Sequence, residues 1–209
     1  MKTSFSRDIK ITLVDYDSGN IRSVTQALGF AQIKPIVSGN PADILSADAV
    51  ILPGVGSGNS AMQALRRKQL IEPIREFITS GRPFMGICLG LQLLMDFTSE
   101  GETECLGVVS GTAEHLPSGV KVPHMGWNQV KITQEHKLTR GINQNSYFYF
   151  AHSYYVIPTD ENLVLGTTSY GVDFCSILAK DNIVATQFHP EKSGSIGLKL
   201  YSNFVEMSV

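Results

Sequence analysis

Charge is scarce in this 209-residue sequence: Asp, Glu, Lys and Arg make up 17% of it and nearly cancel to a formal net charge of -2. No basic run exceeds Arg66, Arg67 and Lys68, which lie in an expected helix and read as a solvated face. The composition therefore argues against a nucleic-acid-binding protein. Long hydrophobic runs are missing as well, and without eighteen consecutive apolar residues no helical membrane span is expected. The polar opening, residues 1–8, lacks the apolar stretch of a signal peptide and reads as a disordered extension before a single domain over 9–209. Cysteine is sparse: Cys88, Cys105 and Cys175 are an odd number with no framework spacing, the pattern of a reduced, cytoplasmic protein. His115, His124, His136 and His152 show no metal-ligand spacing and read as surface or satisfied core residues, so no metal is expected.

What the chain does have is apolar material for a sizeable core, 43% by count. "IKITLVDY" (9–16), "ADAVILPG" (47–54) and "RPFMGI" (82–87) are buried-strand patterns. Between them, Ile21, Val24, Ala27 and Leu28 recur at helical spacing, and a helical stretch over about 59–80 is interrupted or restarted at Pro73. "LGLQLLMDF" (89–97) reads as a short apolar helix. Near-continuous apolar strands alternating with helices predict an α/β fold whose mostly parallel sheet is covered on both faces. The second half is strand-rich, with closely spaced segments that predict antiparallel pairs, and "GSIGLKLYSNFVEM" (194–207) forms a closing helix.

Gly86-x-Cys88-x-Gly90 joins a strand to a helix in the form of a nucleophile elbow, with a thiol where hydrolases carry a serine. An isolated cysteine is more often a small buried hydrophobe, and Cys105 and Cys175 read that way. Cys88 differs because it sits at the carboxyl edge of the sheet and at a helix N-terminus, whose dipole favours thiolate. Such a nucleophile needs a base. In "TQFHPEKSG" (186–194), His189 and Glu191 are two apart and, in extended backbone, point to one side. The carboxylate then fixes the imidazole tautomer, completing a Cys–His–Glu constellation; an exposed turn is the competing reading of that segment. The glycine loop "PGVGSGN" (53–59) offers inward-facing backbone N–H groups, which with the N–H of Leu89 suit an acyl oxyanion. Gly56-x-Gly58-x-x-Ala61 formally fits a dinucleotide fingerprint, but the following strand ends in Gly86-Ile87-Cys88 where an acidic residue is required.

"GICLGLQ" with "FHPEKS" resembles the class I (triad) glutamine amidotransferases. "PGVG", "VPHMGWNQV" (122–130) and "HPEKS" narrow the resemblance to the glutaminase subunits of imidazole glycerol phosphate synthase, over roughly Ile9 to Phe204. The resemblance implies a flavodoxin-like sheet, no cofactor, and L-glutamine hydrolysed through a Cys88 thioester. His189 would be the base and Glu191 its orienter. Gly54, Val55 and Leu89 would frame the oxyanion site after a peptide reorientation. Gly54 and Gly56, together with Gln92, Ser153 and Tyr154, would bind glutamine. It further implies a (β/α)8 cyclase partner that receives the ammonia, with Asn20, Gly56, Trp127, Tyr149 and Lys192 at or near the interface. For Trp127 and Tyr149 core packing is an equally good reading. "PHMGWN" favours this pathway over purine or pyridoxal phosphate synthesis, and the intact triad argues against a non-catalytic regulatory subunit. Two positions depart from the family: Asp17 stands where a glycine is usual, and Gly58 where an aromatic is common.

Overall fold

The computed structural model describes residues 9–17 and 19–208; the extension expected at 1–8 lies outside them. Five strands form the parallel half: β1 (Ile11–Val14), β2 (Ile36–Ser38), β3 (Ala49–Gly54), β4 (Phe84–Cys88) and, from the end of the chain, β13 (Ile183–Thr186). Their order is β2-β1-β3-β4-β13, all neighbours parallel, which is the doubly wound, flavodoxin-like order. Alternation along each strand sends side chains into two separate cores. On one face Val50, Leu52 and Phe84 pack with α2 (Pro41–Leu45), α3 (Gly58–Arg67), α4 (Ile71–Thr79) and α5 (Leu89–Gln92). On the other, Ile11, Ile51 and Met85 meet α1 (Ile21–Phe30) and α6 (Gly194–Met207). Burial on both faces is why these strands read as unbroken apolar runs.

The second half adds short β5 (Phe97–Thr98) and β6 (Thr103–Glu104), then β7 (Gly111–His115), β8 (His124–Ile132), β9 (Ser146–His152), β10 (Tyr154–Pro158), β11 (Val164–Ser169) and β12 (Asp173–Lys180). β12 joins them to β13 antiparallel, and the remaining pairs are antiparallel except β5 with β7. The expected mixed sheet is present.

Two helix expectations change. The 59–80 stretch breaks before Pro73, at Lys68–Leu70, where Gln69 takes φ 56°. Pro73 sits in the first turn of α4, where a missing N–H costs nothing. The apolar helix expected over 89–97 stops at Gln92. Backbone N–H groups of the returning 106–109 segment take the carbonyls of Leu93, Leu94 and Met95, and so draw the chain just past Gln92 away from further helical bonding. The sequence reading omitted β2 and α2, although Asn40 accepting the Ala42 N–H at 3.0 Å ahead of Pro41 is a legible helix start.

Asp17 adopts φ 68°, a left-handed conformation that favours glycine. Its carboxylate meets Lys68 at 2.6 Å and Arg67 at 3.1 Å, and the Lys68 hydrogen bond holds its pKa below the usual range. These contacts tie the β1–α1 loop to the end of α3 in place of conformational freedom.

Candidate active site

β4 ends at Cys88 directly beside the end of β3, with Gly54 and Cys88 as register partners. Cys88 has φ 54° and ψ −103°, a strained backbone for a residue with a Cβ. The flanking glycines make the turn possible. A Cβ on Gly86 would come within 2.9 Å of the Gly90 backbone, and one on Gly90 within 2.0 Å of the Leu52 carbonyl oxygen. The thiol is held at the mouth of a cleft, and Cys88 as a whole is 5% exposed. Leu89 follows as the first residue of α5, so its N–H has no helical partner and faces the carboxyl edge.

His189 and Glu191 arrive after β13. Nδ1 of His189 is 2.8 Å from Oε1 of Glu191, and their side chains are 2% and 0% exposed. Pro190 begins a single 3-10 turn, Pro190–Lys192, which brings the two side chains together; the exposed-turn reading is therefore set aside. Ser193 locks that turn: its hydroxyl donates to the His189 carbonyl at 2.7 Å and accepts the Tyr149 N–H at 3.0 Å. Asn20, expected at a partner surface, is half-buried and donates to Oε1 of Glu191 at 3.2 Å.

Burial opposes charge on His189, but the neighbouring Cys88 sulfur and the Glu191 carboxylate outweigh it and raise its pKa to about 10. Burial likewise opposes ionisation of Glu191, and the hydrogen bond and charge of His189 reverse the sign, leaving it below the ordinary range. The His189 contribution to stability is complete below about 6.5, its unfolded value, and is lost as pH rises toward about 10. That of Glu191 is present above its unfolded value and disappears on acidification. In Glu191→Gln the raising influence of the carboxylate is gone while that of Cys88 stays, so an NMR titration should find the His189 midpoint below that of the wild type. An unmoved midpoint would remove Glu191 from control of the imidazole.

The cleft, about 180 Å³, is lined by Val55, Gly56, Cys88, Leu89, Gln92, Ser153 and Tyr154 among others, which unites the residues expected there; Gly54 stands behind Leu89. Gln92 spends its amide nitrogen on the Tyr154 carbonyl at 2.9 Å and Gln187 Oε1 at 3.3 Å, so its oxygen is what it offers the cleft. Gly56 has φ +94°, and a Cβ there would meet nothing within 4 Å. Sequence reasoning missed Glu100, a carboxylate in the cleft wall that accepts the Gly58 N–H at 2.6 Å. It also missed Gln187, fully buried, whose amide donates to Cys88 Sγ at 3.7 Å. The glycine at 58 now has a local reason, because a Cβ there would meet Thr98 Cγ2 at 3.0 Å and Glu100 Oε2 at 3.5 Å.

Trp127 and Tyr149 are directly paired across β8 and β9, with rings 6.0 Å apart. Trp127 is 55% exposed and Tyr149 half-buried, so core packing does not account for Trp127. Lys192 Nζ stands 5.8 Å from the Tyr149 ring, and Met125 and Tyr147 extend the same exposed face. In "YFYF" (147–150), by contrast, Phe148 and Phe150 are fully buried. Of the other histidines, burial drives His124 down to about 4 and His152 to about 3, so both are neutral. Cys105 and Cys175 are buried and unpaired, with pKa values pushed up by burial.

A strained thiol at a strand–helix turn, a buried His–Glu pair and a narrow polar cleft define an amide-cleaving acyl-transfer site, and the profile of the class-I glutamine amidotransferase family matches residues 12–207. The chain belongs to that family. Within it, the chain is 50% identical over 200 residues to the imidazole glycerol phosphate synthase subunit HisH of Dehalococcoides mccartyi (strain CBDB1), covering 95% of this chain and 98% of that protein. The subunit HisH of Methanosarcina acetivorans is 48% identical with the same coverage. Among solved structures, PurLQS from Thermotoga maritima superposes with a TM-score of 0.75 at 18% identity, over 96% of this chain and 99% of that one. A crystal structure described as a glutamine amidotransferase gives 0.75 at 19%, over 94% and 98%. These two speak for the fold alone. Among the described residues, no helix is long and apolar enough to cross a membrane.

Proposed function

We propose that the protein is the glutaminase subunit of imidazole glycerol phosphate synthase, releasing ammonia from L-glutamine for a cyclase subunit. The observation that carries the chemistry is the strained Cys88 turn beside His189, whose charge and hydrogen bonding it shares, with His189 held by Glu191 at 2.8 Å. The Cys88 sulfur attacks the side-chain carbonyl of glutamine, and the new oxyanion is received by the N–H of Leu89, joined by that of Val55 once its peptide has reoriented. One such donor is worth about 3 kcal/mol in the transition state. His189, protonated by the thiol proton, gives that proton to the departing nitrogen, and the C–N bond breaks to leave a thioester and ammonia. His189 then takes a proton from water, whose oxygen displaces the sulfur to give glutamate. Glu100 is suited by charge to the α-ammonium of glutamine, with Gln92, Ser153 and Tyr154 completing the pocket.

Free ammonia is mostly protonated in neutral water and then no longer nucleophilic, which favours direct delivery to a docked partner. The exposed face of Met125, Trp127, Tyr147 and Lys192 suits that partner, a (β/α)8 cyclase acting on a ribulose-phosphate nucleotide, and Tyr149 joins this face to the His189 turn. Asn20 would act there through Glu191. Three unpaired cysteines accord with a cytoplasmic setting. The test is glutamate release by the purified chain, alone and with cyclase plus its nucleotide. A low basal rate that rises sharply in the complex is expected. A high rate indifferent to the cyclase would keep the triad chemistry but move the protein to another pathway.

A further inference from the structure

The triad leaves one buried polar cluster unused. His124 and His152 are 4% and 5% exposed, and His124 Nδ1 lies 2.9 Å from His152 Nε2. Only one proton fits between those two nitrogens, and the surroundings decide which carries it. At one end, the Asn128 amide is oriented by two backbone groups: Oδ1 accepts the Gln129 N–H at 2.8 Å, and Nδ2 donates to the Ser169 carbonyl at 3.1 Å. Nδ2 therefore also faces His124 Nε2, at 3.3 Å, and that nitrogen must be the bare one. At the other end, His152 Nδ1 is 2.9 Å from the Tyr154 carbonyl oxygen, which can only accept, so that nitrogen carries its proton. Both ends give the same answer: each ring is neutral and protonated at Nδ1, and every bond runs from Asn128 toward Tyr154. An extra proton on either ring would set N–H against N–H inside the protein.

The carbonyl at which these hydrogen bonds end belongs to the wall of the cleft. Tyr154 O also accepts Gln92 Nε2, which touches Gln187 Oε1, and Gln187 Nε2 reaches Cys88 Sγ. Ser153, at the break between β9 and β10, is held between these anchored residues. Aromatic packing alone does not call for imidazoles here: Phe148, Phe150 and Phe174 fill neighbouring positions of the same core. His124, stacked on Phe150 and Tyr170 with centroids at 4.8 and 3.9 Å, is held in plane for its hydrogen bonds.

We propose that His124 and His152 are positioning residues: a one-directional relay of neutral imidazoles that fixes the 151–154 backbone for glutamine and ties it to β8, the strand that carries Trp127. The functional half of this inference rests on the reading of the cleft as the glutamine site.

The test uses histidine labelled with nitrogen-15 in the complex with cyclase, near neutral pH. Both rings are expected as neutral Nδ1–H tautomers, the opposite of the form free imidazole side chains prefer. Asn128→Asp, at a half-buried surface position, replaces a donor by a carboxylate and so puts a proton on His124 Nε2; an imidazolium there would keep the Nδ1–H bond to His152, whereas the reversed neutral tautomer loses it. With the tautomer reversed, at saturating cyclase, the KM for glutamine should rise about five- to tenfold, the equivalent of roughly one hydrogen bond, with kcat within about twofold. His124→Phe should give the same split. A merely structural role would lower kcat through the active fraction and leave KM where it was. An Nε2–H tautomer or an imidazolium at either wild-type ring overturns the relay. A reversed His124 with unchanged KM overturns its role in positioning. A wild-type complex that releases no glutamate defeats the glutamine reading instead, and the tautomers still decide the relay.

Discussion

Cys88→Ala should abolish glutamine-dependent synthesis in the complex while the cyclase continues to use added ammonia at the wild-type rate. Loss of a triad nucleophile typically costs about a million-fold in turnover, because the remaining members cannot form the covalent intermediate. Glutamate release and ammonia-dependent product formation, measured on one preparation, separate the two activities. Equal loss of both would make Cys88 a structural residue. Cys88→Gly supplies a second comparison, because it removes the thiol and also the Cβ from the strained φ 54° position. Strain of this kind costs about 1–3 kcal/mol, and glycine returns about 0.5–1 kcal/mol to the unfolded chain as entropy. Urea denaturation should therefore find the glycine variant more stable than the alanine variant by about 1 kcal/mol, although neither reacts. An alanine variant as stable as the glycine one would mean that the turn stores no strain for the nucleophile.

What sequence reasoning could see follows from where each signal is written. The parallel strands are legible because burial on both faces demands unbroken apolar runs such as "AVIL" in β3. Gly86-x-Cys88-x-Gly90 and His189-x-Glu191 are legible because the chemistry fixes residue type at short spacing. The end of α5 is different in kind: the carbonyls of Leu93, Leu94 and Met95, just past it, are taken by residues 106–109, which no local pattern announces. Glu100 reaches the cleft through the Gly58 N–H, and Gln187 meets Cys88 across 99 residues of sequence. The Asn20 contact with Glu191 spans 171. His124 and His152 read as surface or satisfied core residues because a directional relay depends on which atoms face each other, which spacing does not encode. Local chemistry was readable, and long-range polar pairing was not.

Gly90→Ala should be among the most damaging single methyls in the molecule's active half. The added Cβ would stand 2.0 Å from the Leu52 carbonyl oxygen and 3.1 Å from its carbon, and both are backbone atoms that cannot rotate away. β3 cannot yield, because Leu52 is fully buried and the strand is paired on both sides, to β1 and β4. α5 must yield instead, and it carries the Leu89 N–H and Gln92. Overpacking typically costs about 1–3 kcal/mol, and a misplacement of about an ångström at a reacting centre can cost about a hundredfold in rate. We expect kcat to fall by at least that factor, and the melting temperature to drop by several degrees, at about 2–4 °C per kcal/mol for a domain of this size. Gly29→Ala is the control of opposite sign, since nothing lies within 4 Å of its Cβ position in α1. It should raise stability by about 0.4–1 kcal/mol and leave glutamate release untouched. If Gly90→Ala retained wild-type turnover, the close approach of α5 to β3 would have slack. The oxyanion donor at Leu89 would then be positioned by the Cys88 turn alone.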